Sequence, residues 1–179
     1  MYLDTTVILD FVDKRNESTM RMLDTIKVNN LGVLISPFGI LEVIDAKKTD
    51  RWTEYMLERG FSVVQIARRM GARRTGRQSL SSNQLNEVYT SIHEVLEGEL
   101  SIVGVPAPAI GLMNQAEDIC ASTNLAAADS LHLATALYYD CQLLVSSDSD
   151  LIKIAGTYIS ATSPEGFHNR LDSLLGAAI

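Results

Sequence analysis

Only two cysteines occur in the 179 residues, Cys120 and Cys141. They stand far apart and form no Cys-x-x-Cys pair, which excludes a disulfide framework and a thiolate zinc site; both read as buried thiols in a reducing compartment. No apolar run approaches the roughly 18 residues that a membrane span needs, and no basic stretch precedes the first apolar residues. A soluble cytoplasmic protein is therefore expected. Basic charge is also scarce: 15 Lys and Arg against 22 Asp and Glu leave a formal charge of -7. That balance argues against a protein that grips duplex nucleic acid by overall charge, although a local patch can still do so. Internal repeats and long linkers are absent as well. What remains is a chain of 46% apolar residues, long enough for one domain with a sizeable core.

Residues 1–4 predict a very short strand ending on Asp4. TTVILDFVDK then predicts a helix, because Thr5 or Thr6 can cap it while Val7, Ile8, Phe11 and Val12 recur at helical spacing. A helix over residues 19–28 leads into LGVLIS, a continuous apolar run expected of a strand covered on both faces. Ser36 and Pro37 supply an N-cap and a first-turn proline for the helix that carries Glu42. The middle is helical and more polar, through DRWTEYMLERG, FSVVQIARRMGARR and SSNQLNEVYTSIHEVLEG, with Ser81 or Ser82 as a cap. ELSIVGVPAP predicts a further strand ended by two prolines. A helix over 109–122 follows, then one from about Asn124 with Asp129 in its early turns, and the strand CQLLVSS. A short helix from Asp148, a brief strand near Tyr158 and a helix capped near Ser163 complete the chain. This alternation predicts an α/β fold, a mostly parallel sheet with helices on both faces.

Four acids stand where a charge needs a reason. Asp4 and Asp148 end strand-like runs, whereas Glu42 and Asp129 are embedded among apolar residues in SPFGILEVIDAKK and AAADSLHLATAL. Each has an ordinary explanation. Asp4 can be a helix N-cap, and so can Asp148, with Ser147 a rival cap and Asp150 a rival ligand. Asp129 can answer a helix dipole with His132 one turn later as its neighbour, and Glu42 can belong to an exposed stripe. Together they say more, because the carboxyl ends of parallel strands converge on one crevice. Two carboxylates about 4 Å apart repel by roughly 4 kcal/mol at an effective dielectric of about 20, so a group of them requires a positive charge. Lys14, Lys47, Lys48 and Lys153 are expected on helix exteriors, which makes a hard divalent cation the economical compensation. Carboxylate oxygens suit Mg2+ or Mn2+, and the lack of Cys or His pairs at ligand spacing argues against zinc. Magnesium is usually held together with substrate phosphates, so the implied substrate is a phosphate ester.

These stretches resemble the PIN domain family, small nucleases with a three-layer, Rossmann-like α/β/α fold that include the toxins of bacterial and archaeal toxin and antitoxin pairs. The resemblance is carried by MYLDTTVILD, the glutamate of GILEVID, the ADSLHLATAL helix and LLVSSDSDL, in the family's order. It implies that Asp4, Glu42, Asp129 and Asp148 are the catalytic acids that hold Mg2+ or Mn2+. Thr6 matches the small hydroxyl residue after the first aspartate, Ser146 stands where the family often has threonine, Asp150 is an accessory acid, and His132 matches a position expected to be structural. The implied activity is metal-dependent hydrolysis of RNA phosphodiesters to a 5' phosphate and a 3' hydroxyl. The implied partners are RNA, an antitoxin protein and a second copy in a homodimer.

The middle departs from the compact toxin pattern. Residues 49–117 read as a helical insertion within a single domain spanning 1–179, and residues 59–86 hold Arg59, Arg68, Arg69, Arg73, Arg74 and Arg77. Arg68, Arg69, Arg73, Arg74 and Arg77 are candidate RNA phosphate contacts; a solvated helix end with a loop and a docking surface for an acidic partner are the competing readings. A free-standing RNA-processing nuclease stands beside the toxin role. Two other functions compete: a PIN-like fold that only binds RNA or protein, and a haloacid dehalogenase type phosphatase, whose second aspartate is here Thr6.

Overall fold

Successive side chains of a strand point to opposite faces, and in this protein each face of the sheet meets its own layer of helices. The computed structural model describes residues 1–72, 80–99 and 110–171. Among them, β1 (Tyr2–Leu3), β2 (Leu143–Val145) and β3 (Ser160–Thr162) form a parallel sheet in the order β1-β2-β3. The helices are α1 (Thr5–Val12), α2 (Glu17–Val28), α3 (Pro37–Glu58), α4 (Val63–Ala72), α5 (Ser82–His93), α6 (Ile110–Ser122), α7 (Ala127–Tyr138) and α8 (Ser149–Ala155), with α5 running on into a π-helical turn, Glu94–Glu99. Leu3, Leu143 and Val145 pack with α1, α2, α3 and α5 through Val7, Ile8, Met22, Val43 and Val88. Tyr2 and Leu144, on the other face, pack with α6, α7 and α8 through Ile119, Leu133 and Leu151. The chain thus has the expected three-layer α/β/α architecture.

Strand register brings distant residues together at the carboxyl edge of the sheet. Tyr2 lies beside Leu144 and Leu3 beside Val145, so the next residues out, Asp4 and Ser146, leave the sheet side by side. Among the described residues, the expected strand LGVLIS meets β1 as a bridge between Leu34 and Tyr2. Leu3 N–H donates to the Leu34 carbonyl at 3.1 Å and Leu34 N–H to that of Met1 at 2.8 Å. A two-residue β1 has no more backbone to offer on that side; burial of Val33 and Ile35 accounts for the apolar run. ELSIVGVPAP, the other expected strand, lies for the most part outside the described residues.

Local signals set the helix starts. Ser36 Oγ accepts from Gly39 N–H at 2.9 Å with Pro37 in the first turn, and Ser81 makes a full capping box with Gln84. α7 begins at Ala127, a little later than expected, and Asp4 rather than Thr5 or Thr6 occupies the N-cap position of α1. The expected insertion at 49 falls inside α3, not at a boundary. The far half of α3 carries a small separate core of Trp52 and Met56 with Ile66 of α4, while α5 returns to the main core through Val88 and Ile92. Arg51 ties the two regions, its Nε lying 3.1 Å from a Glu87 carboxylate oxygen. Cys120 is exposed and Cys141 only partly buried, contrary to expectation. The buried stripe of α6 is Leu112, Ala116 and Ile119, and Cys120 falls beside it. Among the described residues, no helix is long and apolar enough to cross a membrane.

Candidate active site

Asp4 follows β1 directly and holds the N-cap position of α1, yet its carboxylate makes no capping bond. Instead, Oδ2 accepts from Thr6 Oγ1 at 2.8 Å and from Ser146 Oγ at 2.7 Å. Oδ1 stands 3.5 Å from His132 Nε2, and the residue is only 4% exposed. The helix-cap explanation therefore fails for this carboxylate. Ser146 also accepts the Asp148 N–H at 2.9 Å, and Thr6 Oγ1 accepts the Ser147 N–H at 3.0 Å. Thr6 and Ser146 are thus the hydroxyls that join the turns after β1 and β2 around Asp4.

Glu42 lies in the second turn of α3, whose close approach depends on Gly39. A Cβ there would meet Thr5 Oγ1 at 3.3 Å and the His132 ring at 3.4 Å. Those two groups hold Glu42: its Oε2 accepts from Thr5 Oγ1 at 2.7 Å and lies 2.7 Å from His132 Nε2. Burial opposes ionisation of this carboxyl, but the His132 and Thr5 hydrogen bonds prevail and hold it below the usual glutamate range. His132 Nδ1 in turn lies 2.6 Å from the Tyr2 hydroxyl. Sequence reasoning alone does not single out Tyr2 and Thr5 as site residues; the signal it offers is a tyrosine two positions before the strand-ending Asp4.

Asp129 sits in the first turn of α7. Burial, then the charges of Asp148 and Asp4 and, less strongly, Glu42 push its carboxyl above the usual aspartate range; only His132 acts the other way among the named charges. The four acids therefore share one electrostatic neighbourhood, drawn from positions 4 to 148 of the chain. Lys47, expected on a helix exterior, is engaged by Asp13 and Asp50 instead. Asp148 keeps its capping role, since Oδ1 accepts from the N–H groups of Asp150 and Leu151 at 2.8 and 3.0 Å. Asp150 is exposed in the first turn of α8 and is not among the charges that bear on Asp129.

The raised Asp129 carboxyl leads to a pH prediction. An acid whose folded pKa lies above its unfolded value binds its proton more tightly when folded, so its contribution is stabilising at low pH and is lost as pH rises through that folded value. Asp129→Asn removes the neutral-pH penalty. Thermal melts in chelator are expected to show the variant melting higher than the parent at pH 7, with the gap closing on acidification below the aspartate range.

The donor set is all carboxylate oxygen, the chemistry that Mg2+ and Mn2+ favour, and its only close nitrogen base is already committed to Tyr2 and Glu42. The groups stand apart as they are: among the described residues, no set of three or more His, Cys, Asp or Glu side chains is arranged to hold a metal ion. Asp4 is fixed by two hydroxyls, whereas Glu42, Asp129 and Asp148 lie nearer the surface.

Arg68 and Arg69, two of the expected RNA-contacting arginines, are remote from these acids. Arg68 and Arg69 are exposed on α4, with the Arg69 guanidinium 4.4 Å from the Phe61 ring centroid. α4 packs on Trp52 and Met56, which lie roughly 15–21 Å along α3 from Glu42 at about 1.5 Å per residue. Arg73, Arg74 and Arg77 lie outside the described residues.

A family model described as the PIN domain matches residues 1–157. The chain belongs to the PIN domain family. PIN domains are generally nucleases, and generally use divalent metal ions. The crystal structure of FitAcB from Neisseria gonorrhoeae resembles this PIN domain with a TM-score of 0.52 and 17% sequence identity, covering 91% of this chain and 96% of that one. At that identity the likeness is one of fold. A comparison with curated proteins finds no significant match. Membership in the PIN family sets aside the dehalogenase alternative, and Thr6, which replaces that family's second aspartate, here donates its hydroxyl to Asp4.

Proposed function

We propose that this PIN domain is a Mg2+- or Mn2+-dependent endoribonuclease whose catalytic acids are Asp4, Glu42, Asp129 and Asp148. The observation that carries the reading is the Asp129 carboxyl, set in the combined field of Asp148, Asp4 and Glu42. Like charges gathered in a partly desolvated crevice are costly unless a cation joins them. Asp4 is the fixed member, since two hydroxyls hold one of its oxygens. Glu42 is aimed by His132 and Thr5, Asp129 stands in the field of the other acids, and Asp148 offers the oxygen that its capping bonds leave over. A divalent cation bound there supplies an acidified water and neutralises the charge that builds on a phosphate under in-line attack. Arg68, Arg69, Arg73, Arg74 and Arg77 would guide the RNA backbone.

The 179 residues are read as a single domain, with the helical section from 49 to 117 as its elaboration. A cytoplasmic setting suits its unpaired cysteines. The PIN family match supports, as proposals, an antitoxin partner, pairing into a homodimer, and as a second role RNA processing outside any toxin pair.

The test is a labelled single-stranded RNA incubated with the protein in Mn2+, in Mg2+ and in chelator. Cleavage that depends on the metal and leaves a 5' phosphate supports the reading; binding without cleavage identifies a binding-only module. Saturating Mn2+ is expected to raise the melting temperature. At 100 times its dissociation constant a ligand contributes about 2.7 kcal/mol, roughly 5–11 °C for a chain of this size. An unchanged melting temperature would count against the acidic crevice as a cation site.

A further inference from the structure

His132 is 2% exposed, and both of its ring nitrogens are engaged. Nδ1 lies 2.6 Å from the Tyr2 hydroxyl, and Nε2 lies 2.7 Å from Glu42 Oε2. The Glu42 carboxylate can only accept, and the Tyr2 hydroxyl stands at the other ring nitrogen. That leaves Nε2 as the N–H, pointed at Glu42. Thr5 Oγ1 donates to the same glutamate oxygen at 2.7 Å. Two donors on Oε2 tether that oxygen and leave Oε1 as the one they do not engage.

We propose that His132, seated by Tyr2, is a positioning residue that selects which Glu42 oxygen is offered to the divalent cation. The inference rests on the metal-dependent nuclease reading and deepens it. Hydrogen-bond partners behind a ligand orient it and tune its basicity, and their loss weakens metal affinity by about 10–100-fold. A histidine that merely fills the core does something else: its removal lowers stability and leaves the affinity of the folded fraction alone. Phe38 and Tyr2 both pack on the ring, at 5.7 and 5.8 Å between centroids, so the two roles must be separated by measurement.

The test uses the full chain and three variants. His132→Leu removes both nitrogens, His132→Gln keeps an N–H able to reach Glu42, and Tyr2→Phe keeps the ring packing but deletes the hydroxyl at Nδ1. The Mn2+ dissociation constant is measured by calorimetry, with melting temperatures in chelator beside it. Expected are a 10–100-fold weaker Mn2+ site in His132→Leu, affinity within a few-fold of the parent in His132→Gln, and an intermediate loss in Tyr2→Phe. For RNA cleavage, kcat at fixed Mn2+ is expected to fall while KM for RNA holds. Parental Mn2+ affinity in folded His132→Leu overturns the proposal, and if that variant does not fold, parental affinity in Tyr2→Phe does so. A parent that binds no Mn2+ overturns the nuclease reading itself, a distinct result.

Discussion

Asp4→Asn is expected to lower metal-dependent RNA cleavage by about 10³-fold or more, equivalent to about 4 kcal/mol of transition-state stabilisation. Three features make this the largest catalytic effect in the chain. Asp4 is the most buried of the four acids, it sits where β1 opens onto the crevice, and neighbouring hydroxyls already hold it in place. Asparagine keeps the shape and one acceptor oxygen, so Thr6 and Ser146 retain a partner and the fold is expected to survive. One negative charge is gone, which weakens the pull on a cation and relieves the pressure on Asp129. The measurements are single-turnover cleavage in Mn2+ and a melt in chelator. Full activity in a folded Asp4→Asn protein would remove Asp4 from the site.

Leu144→Ala is expected to cost about 2–5 kcal/mol of stability, the usual range for a leucine truncated in a core that cannot collapse around the gap. Leu144 is fully buried on the central strand and packs with Leu133 and Leu151. Leu41→Ala provides the contrast. Its side chain is 63% exposed, and its truncation is expected to stay within about 0.5 kcal/mol. Urea unfolding of both variants in chelator measures the difference; similar midpoints would contradict the two-faced sheet. Because the acids are untouched, Leu144→Ala should keep the Mn2+-induced rise in melting temperature wherever it remains folded.

Those two leucines also show where reading residues in order succeeds and where it stops. Both stand in apolar runs, and only the layers around them tell buried from exposed. The strand ends at Asp4 and Asp148 were legible because a short apolar run closing on an acid has few meanings. Ser36 with Pro37 marked the start of α3 because capping acts within a few neighbouring residues. The different uses of the two aspartates were not legible: both occupy N-cap positions, but Asp148 caps and Asp4 does not. That distinction depends on Ser146, which reaches Asp4 from 142 positions away. The Tyr2 and His132 pair escaped for the same reason, being 130 positions apart. LGVLIS meets β1 at Leu34, but burial on both sides gives one pattern whether or not a full ladder forms.

The union of β1 with β2 bears on the life of the chain as well as on its chemistry. Tyr2 and Leu3 leave the ribosome long before their partners Leu144 and Val145. Until then Asp4 has neither Ser146 to hold it nor Asp148 beside it. A growing polypeptide thus carries an unassembled acid site until β2 has been made, and a product cut short before β2 never assembles it. The acids can gather only once β2 has docked beside β1, a delay that would suit the proposed ribonuclease.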